Sequence, residues 1–279
     1  GAYVIQFNPN PQYGEYSYWL SVDFGGRGAL PFFIAYEHIN GTRYSCPNDC
    51  SKDMNLEYNR QGFREVIAFI YNNIVRRYPA RYVTIDGRAV IYMWSSSQMR
   101  GDFASLLDEV KAKYPVAFIG SEGIWGPPSD PEDIERVKRL DGIMEYSLVR
   151  GSYADMAISY AFAAQDWQDF LRHIESETGK RILLIPTFQA AYDDSKFPGR
   201  NSRVMYPKNL NELEFHAEII RSRMGWMFDY IGPFVVYSEW FEGGAVGQSQ
   251  CLPSTMDTQG RYVGCGIGRL EVLKKYFAR

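Results

Sequence analysis

Short apolar runs alternate with amphipathic stretches along almost the whole chain. Seven runs read as strands: 3–8, 30–37, 89–94, 116–121, 142–147, 182–187 and 234–239. Each is short and continuously apolar rather than alternating, the pattern of parallel strands covered on both faces. Helical periods fill the spaces between them. Phe63, Ile67, Ile70 and Ile74 mark one face of a helix ending near Pro79, and Phe103, Leu106, Leu107 and Val110 mark a second. A third, over 131–139, opens with Pro131 and two acids, as a helix N-terminus favours. Trp167, Phe170, Leu171 and Ile174 predict a fourth over 166–177, stopped by Gly179. Two more are expected over 213–227 and 267–277. Between the first two strands no helical period emerges, only the Gly25-Gly26 region.

This alternation, without repeats or an interdomain linker, predicts a single α/β domain over 1–279 with the architecture of a (β/α)8 TIM barrel. The doubly wound alternative lacks its usual mark, because no Gly-x-Gly-x-x-Gly loop follows any strand. Seven βα units are present where a closed barrel needs eight. Since Tyr3 begins a strand almost at once, the first strand is expected from a segment upstream of Gly1 or from a partner chain.

In such a barrel the chemistry gathers just after each strand. The last strand runs into Tyr237-Ser238-Glu239-Trp240-Phe241-Glu242-Gly243-Gly244. Carboxylates are costly to bury among aromatics, so two of them here suggest a pair held for acid–base work, most naturally on a glycosidic bond. The competing reading is one buried glutamate tied to a structural arginine and one solvated loop glutamate. Other strand ends carry Glu37, Trp94, Glu122 with Trp125, Glu145-Tyr146, and Tyr192-Asp193-Asp194. Acids and aromatics at so many rim positions suit a sugar cleft, with Glu37, Trp94, Trp125 and Tyr146 as candidate substrate contacts, joined by Tyr192, Asp193, Tyr237 and Trp240. Singly, Glu37 and Glu122 also fit loop acids, Asp193 a turn cap, and Trp94 and Trp125 core positions. His38, His173 and His216 are the only histidines, and the last two fall on helices. A Ser-His-Asp triad or a His-rich metal site is therefore hard to assemble, and no cofactor is expected.

Composition sharpens this modestly. Hydrophobic residues make up 46% and charged residues 23%, ample for a core. Aromatics reach 16%, with 21 Tyr and 6 Trp, which suits stacking on sugars but equally a tightly packed protein. The net charge of −3 and the absence of a basic run disfavour nucleic acid as a partner. No apolar stretch is long enough to span a membrane and no signal-peptide pattern is read along 1–279; a start at Gly1 is consistent with a processed or trimmed form that has lost a leader. Cys46 and Cys50, and Cys251 and Cys265, suit two short-loop disulfides, with a four-cysteine zinc site as the rival. Disulfides would place the chain outside the cell or in the secretory pathway, whereas the single sequon Asn40-Gly41-Thr42 is no more than a chain of this length offers by chance.

The segment from Glu37 to Gly244 resembles glycoside hydrolase family 99, the endo-α-1,2-mannosidases and endo-α-mannanases, and related polysaccharide-processing barrels. Where that family ends its last strand with Ser-Phe-Asn-Glu-Trp-His-Glu-Gly, this chain keeps Glu-Trp-x-Glu-Gly as Glu239-Trp240-Phe241-Glu242-Gly243. Ile34-Ala35-Tyr36-Glu37, Ile85-Asp86-Gly87-Arg88-Ala89-Val90-Ile91-Tyr92, and Ile185-Pro186 followed by Tyr192-Asp193-Asp194 are similar to family segments in the same order. The resemblance implies a retaining endo-glycosidase that acts on an α-linked glycan through a 1,2-anhydro sugar. It implies Glu239 as the base on the substrate 2-hydroxyl and Glu242 as the general acid/base. The family's Asn and His stand here as Ser238 and Phe241, its Thr-Gln-Ile-Glu as Gly244-Ala245-Val246-Gly247, and its Pro-Gly as Ala190-Ala191. These departures fall in substrate-contacting segments. A second functional class remains open: a non-catalytic carbohydrate-binding or structural surface protein on a degenerate glycosidase barrel.

Overall fold

The computed structural model describes residues 3–7, 31–37, 52–94, 96–145, 148–189, 191–193, 204–224, 234–236 and 268–277. By packing density the chain divides into two compact units, 1–122 with 128–143, and 123–127 with 144–279. Every one of the seven apolar runs contains a strand.

The strands β1 (Tyr3–Phe7), β2 (Phe32–Glu37), β4 (Arg88–Trp94), β5 (Val116–Gly120) and β6 (Gly142–Met144) are hydrogen-bonded in that order and all parallel, and all but Met144 belong to the first unit. A two-residue strand β3 (Thr84–Ile85) folds back antiparallel on β4 across Asp86-Gly87. Both turn residues have positive φ, 51° and 74°, a region that glycine enters freely and aspartate tolerates. The five central residues of β4 and all five of β5 are buried, as their unbroken apolar runs require.

Helices cover this sheet. In α1 (Glu57–Phe69), which continues as a π-helical turn over Ile70–Val75, the buried residues include Phe63, Ile67, Ile70 and Ile74. Phe63 sits at the centre, edge-on to Tyr36 at 5.6 Å and to Phe103 at 5.3 Å. Phe103 opens α2 (Phe103–Lys113), whose N-cap Asp102 accepts from the Ser105 amide. Pro131 opens α3 (Pro131–Arg139) behind the N-cap Asp130. Ahead of β6, buried Asp141 accepts the Phe118 amide at 2.8 Å and pairs with Lys111 at 2.6 Å and with Arg88. Those donors compensate a carboxylate that would otherwise be expensive to bury.

In the second unit, α4 (Tyr153–Thr178) runs 26 residues, starting well before the expected residue 166. Its first half buries Tyr153, Met156, Ala157 and Tyr160, a face of small and part-polar residues with weak apolar contrast. A reciprocal capping box between Ser152 and Asp155 begins it, and Gly179 ends it with φ 69°. The sixth apolar run is split in two, β7 (Leu183–Ile185) and β8 (Thr187–Gln189), because Pro186 between them has no N–H to give a ladder. β9 (Tyr192–Asp193) and β10 (Val204–Met205) form an antiparallel pair. After α5 (Leu210–Met224), β11 (Phe234–Val236) pairs parallel with β8, and α6 (Gly268–Phe277) packs on α5. That packing is tied by Lys275 to Glu214 at 2.9 Å and by Arg221 to the Tyr276 carbonyl at 2.8 Å.

Candidate functional site

In the first unit, the register aligns Glu37 with Trp94 at the carboxyl ends of β2 and β4. Trp94 is half-buried. Beyond β5, Glu122 is neither a solvated loop acid nor open to a ligand. Its Oε2 accepts from Arg136 Nη2 at 2.7 Å and Nε at 3.1 Å, and both side chains are almost fully buried. Burial pushes the Glu122 carboxyl up, against the pull of the guanidinium. Arg136 also donates to the Met99 carbonyl at 3.1 Å and to Asp133. This is a structural lock between the loops after β4 and β5 and helix α3.

The second unit holds the denser cluster. Glu145 follows β6 directly and is half-buried, and its Oε2 accepts the amides of Gly123 at 3.1 Å and Ile124 at 3.3 Å. Its own carbonyl accepts Thr187 Oγ1 at 2.6 Å. Glu145 therefore holds the short loop that carries Trp125. The Arg150 guanidinium lies 4.9 Å from the centre of the half-buried Trp125 ring, so one face of that candidate platform carries a cation.

The same unit holds a buried polar network. The Gln189 side chain accepts the Leu148 amide at 2.5 Å and donates to the Ala191 carbonyl at 3.2 Å, pinning the segments on both sides of it. Tyr153 donates its hydroxyl hydrogen to the Gln189 carbonyl and lies 3.2 Å from His216 Nδ1. With that hydrogen committed, Nδ1 must be the donor and Nε2 the bare nitrogen of a neutral ring. His216 is fully buried, stacks on Phe188 at 5.1 Å, and leaves Nε2 without a partner among the described residues. Burial pushes its pKa down to about 3, against an opposing pull from the Gln189 carbonyl. Tyr160 accepts the Thr187 amide at 2.8 Å in the same layer.

The remaining expected contacts are distributed unevenly. Tyr192 is buried at the start of β9, and Asp193 pairs by backbone with Val204. Tyr146, Tyr237, Glu239, Trp240 and Glu242 lie outside the described residues, as do Cys46, Cys50, Cys251 and Cys265. The described chain leads towards the pair as far as Val236, whose register partner is Gln189. Sequence reasoning did not single out Arg150, Gln189 or Tyr153. The one local signal was Arg150 standing just before Gly151-Ser152, a helix start with a cation on its unfavourable side. Among the described residues, no cluster of three or more His, Cys, Asp or Glu could hold a metal, and no helix is long and apolar enough to cross a membrane.

No protein-family model matches the sequence, and no curated protein does. Solved structures do match. A glycoside hydrolase-like protein superposes with a TM-score of 0.64 at 14% identity, over 100% of this chain and 81% of that one. A GH99 endo-alpha-mannosidase from Bacteroides thetaiotaomicron, solved with bis-tris-propane, gives 0.62 at 19% identity over 99% and 79%. A second structure of a GH99 endo-alpha-mannosidase from that organism gives 0.57 at 16% identity over 99% and 75%. The fold is that of these glycosidase structures. At such identities a shared fold carries no substrate with it. It does agree with the family 99 resemblance of the Glu239–Gly243 segment, which rests on residues rather than on shape.

Proposed function

We propose that the protein is an endo-acting, retaining glycoside hydrolase of family 99 type that cleaves an α-linked glycan with Glu239 and Glu242. The observation that carries the proposal is the parallel pairing of β11 with β8, in which Val236 stands opposite Gln189. Glu239 and Glu242 follow Val236 by three and six residues, within roughly 10 Å and 20 Å of chain. Their carboxylates can therefore work just beyond the carboxyl ends of parallel strands, where barrels of this class build their active sites. Glu145 and Gln189 tie down loops of the same unit, the kind of anchoring that supports a carboxylate pair.

In this reading Glu239 stays ionised and takes the proton of the sugar 2-hydroxyl, whose oxygen displaces the leaving group to form a 1,2-anhydro sugar. Glu242 protonates the departing oxygen and then activates the water that opens the anhydro ring. Apolar neighbours Trp240 and Phe241 would hold Glu242 protonated by desolvation. Closure of the sheet into a full (β/α)8 barrel, the two short-loop disulfides and an extracellular location belong to the same proposal. The test is hydrolysis of α-mannans and other α-linked glycans by the wild type and by Glu242→Gln. Loss of turnover with glycan binding retained is expected. A fully active variant would end the assignment.

A further inference from the structure

Arg150 is exposed, and among the described residues its only interaction is the one with the Trp125 ring. The acids nearest to it in sequence are occupied elsewhere. Glu145 is turned onto the Gly123 and Ile124 amides, and Asp155 is tied to Ser152 in the capping box that starts α4. Arg150 also stands two residues before that N-cap, at the end of a long helix where the backbone dipole is positive and a cation is disfavoured. A positive charge thus lies over an aromatic ring with no carboxylate partner among the described residues, ahead of a helix start whose own amides are already capped by Ser152 and Asp155. Both residues sit on loops that follow the carboxyl ends of parallel strands, Trp125 after β5 and Arg150 after β6.

We propose that Arg150 and Trp125 form a subsite for a negatively charged sugar, recognised through its carboxylate or ester oxyanion. The guanidinium can offer two N–H donors to two acceptor oxygens side by side while it stays over the Trp125 ring. The contact with the ring biases the arginine towards one placement before the ligand arrives, so less side-chain freedom remains to be lost. The substrate is then an acidic glycan rather than a neutral mannan. This rests on the glycosidase reading for the identity of the chain as a sugar polymer, but not on its catalytic residues.

The experiment is equilibrium binding to the intact protein, with Glu242→Gln used where turnover intervenes. Probes are oligogalacturonate for carboxylate, dextran sulfate for ester oxyanion, and dextran and mannan as neutral counterparts. The expected result is preference for at least one acidic probe, weakening with added salt. Loss of one charge-assisted contact in Arg150→Ala should lower the acidic-to-neutral affinity ratio about tenfold or more. Arg150→Glu should abolish the preference, and Trp125→Ala should reduce it. No preference in the wild type, or an unchanged ratio in Arg150→Ala, overturns the subsite. Hydrolysis of an acidic glycan that survives Glu242→Gln would remove the catalytic assignment and leave the subsite standing. Hydrolysis of neutral glycans alone, with no change in the ratio on Arg150→Ala, would remove the subsite and leave the catalytic assignment.

Discussion

Acid should loosen the second unit through a single ring, His216. The imidazole is fully buried between Phe188 and Tyr153, and its pKa is pushed down from 6.5 to about 3. The unfolded chain takes up this proton near the ordinary histidine value, so between those two values it binds more protons than the folded chain. Stability from the neutral ring is complete above pH 6.5 and is lost as pH falls towards the folded value. At roughly pH 4.5 the loss is about 3 kcal/mol, growing to about 4 kcal/mol near pH 3 and levelling off at about 5 kcal/mol below it. That is a large part of the 5–15 kcal/mol typical of a domain, given as a rough range. The assay is urea unfolding at neutral pH and at roughly pH 4.5, for the wild type and for His216→Gln, whose amide does not titrate. The variant should be less stable at neutral pH but lose about 3 kcal/mol less on acidification. With three histidines in the chain, carbon-13 labelling can also follow each ring separately. Equal acid losses in the two proteins, or a His216 signal that titrates near 6.5 in the folded state, would refute the reasoning.

Glu122→Ala should cost about 3–5 kcal/mol in thermal or urea unfolding, because it leaves buried Arg136 without its main partner. Replacing both by apolar residues, Glu122→Leu with Arg136→Met, should recover most of that loss. Phe63→Ala should cost about 3–5 kcal/mol, since the ring fills the space between Tyr36 and Phe103. Gly179→Ala should cost about 1 kcal/mol even though nothing crowds the added methyl, because the left-handed backbone at φ 69° is what excludes a side chain.

Much of the fold was legible in the chain itself. The seven apolar runs and the 63/67/70/74 and 103/106/107/110 patterns are local signals, because a strand or helix face is written in the spacing of neighbouring residues. Pro131 and Gly179 marked a helix start and a helix stop for the same reason. The first half of α4 escaped because its buried face is built from Ala, Met and Tyr, with little contrast against the outer face. β3 escaped because two residues carry no period at all. The candidate site was half-legible. Its glutamate pair stands out as charge among aromatics, and its motif points to a chemistry.

What surrounds the site was decided by contacts between residues far apart in the chain. Glu122 reads as a loop acid until Arg136, on the next helix, closes over it. His216 reads as a helix residue until Tyr153, 63 positions away, and Phe188 exclude water from it. Trp125 reads as a sugar platform until Arg150 is found over its ring. Local sequence determines which residues form strands and helices, because backbone geometry and burial period act over a few neighbours. Which charges are paired, desolvated or left open depends on what the fold brings beside them, and no short-range pattern contains that.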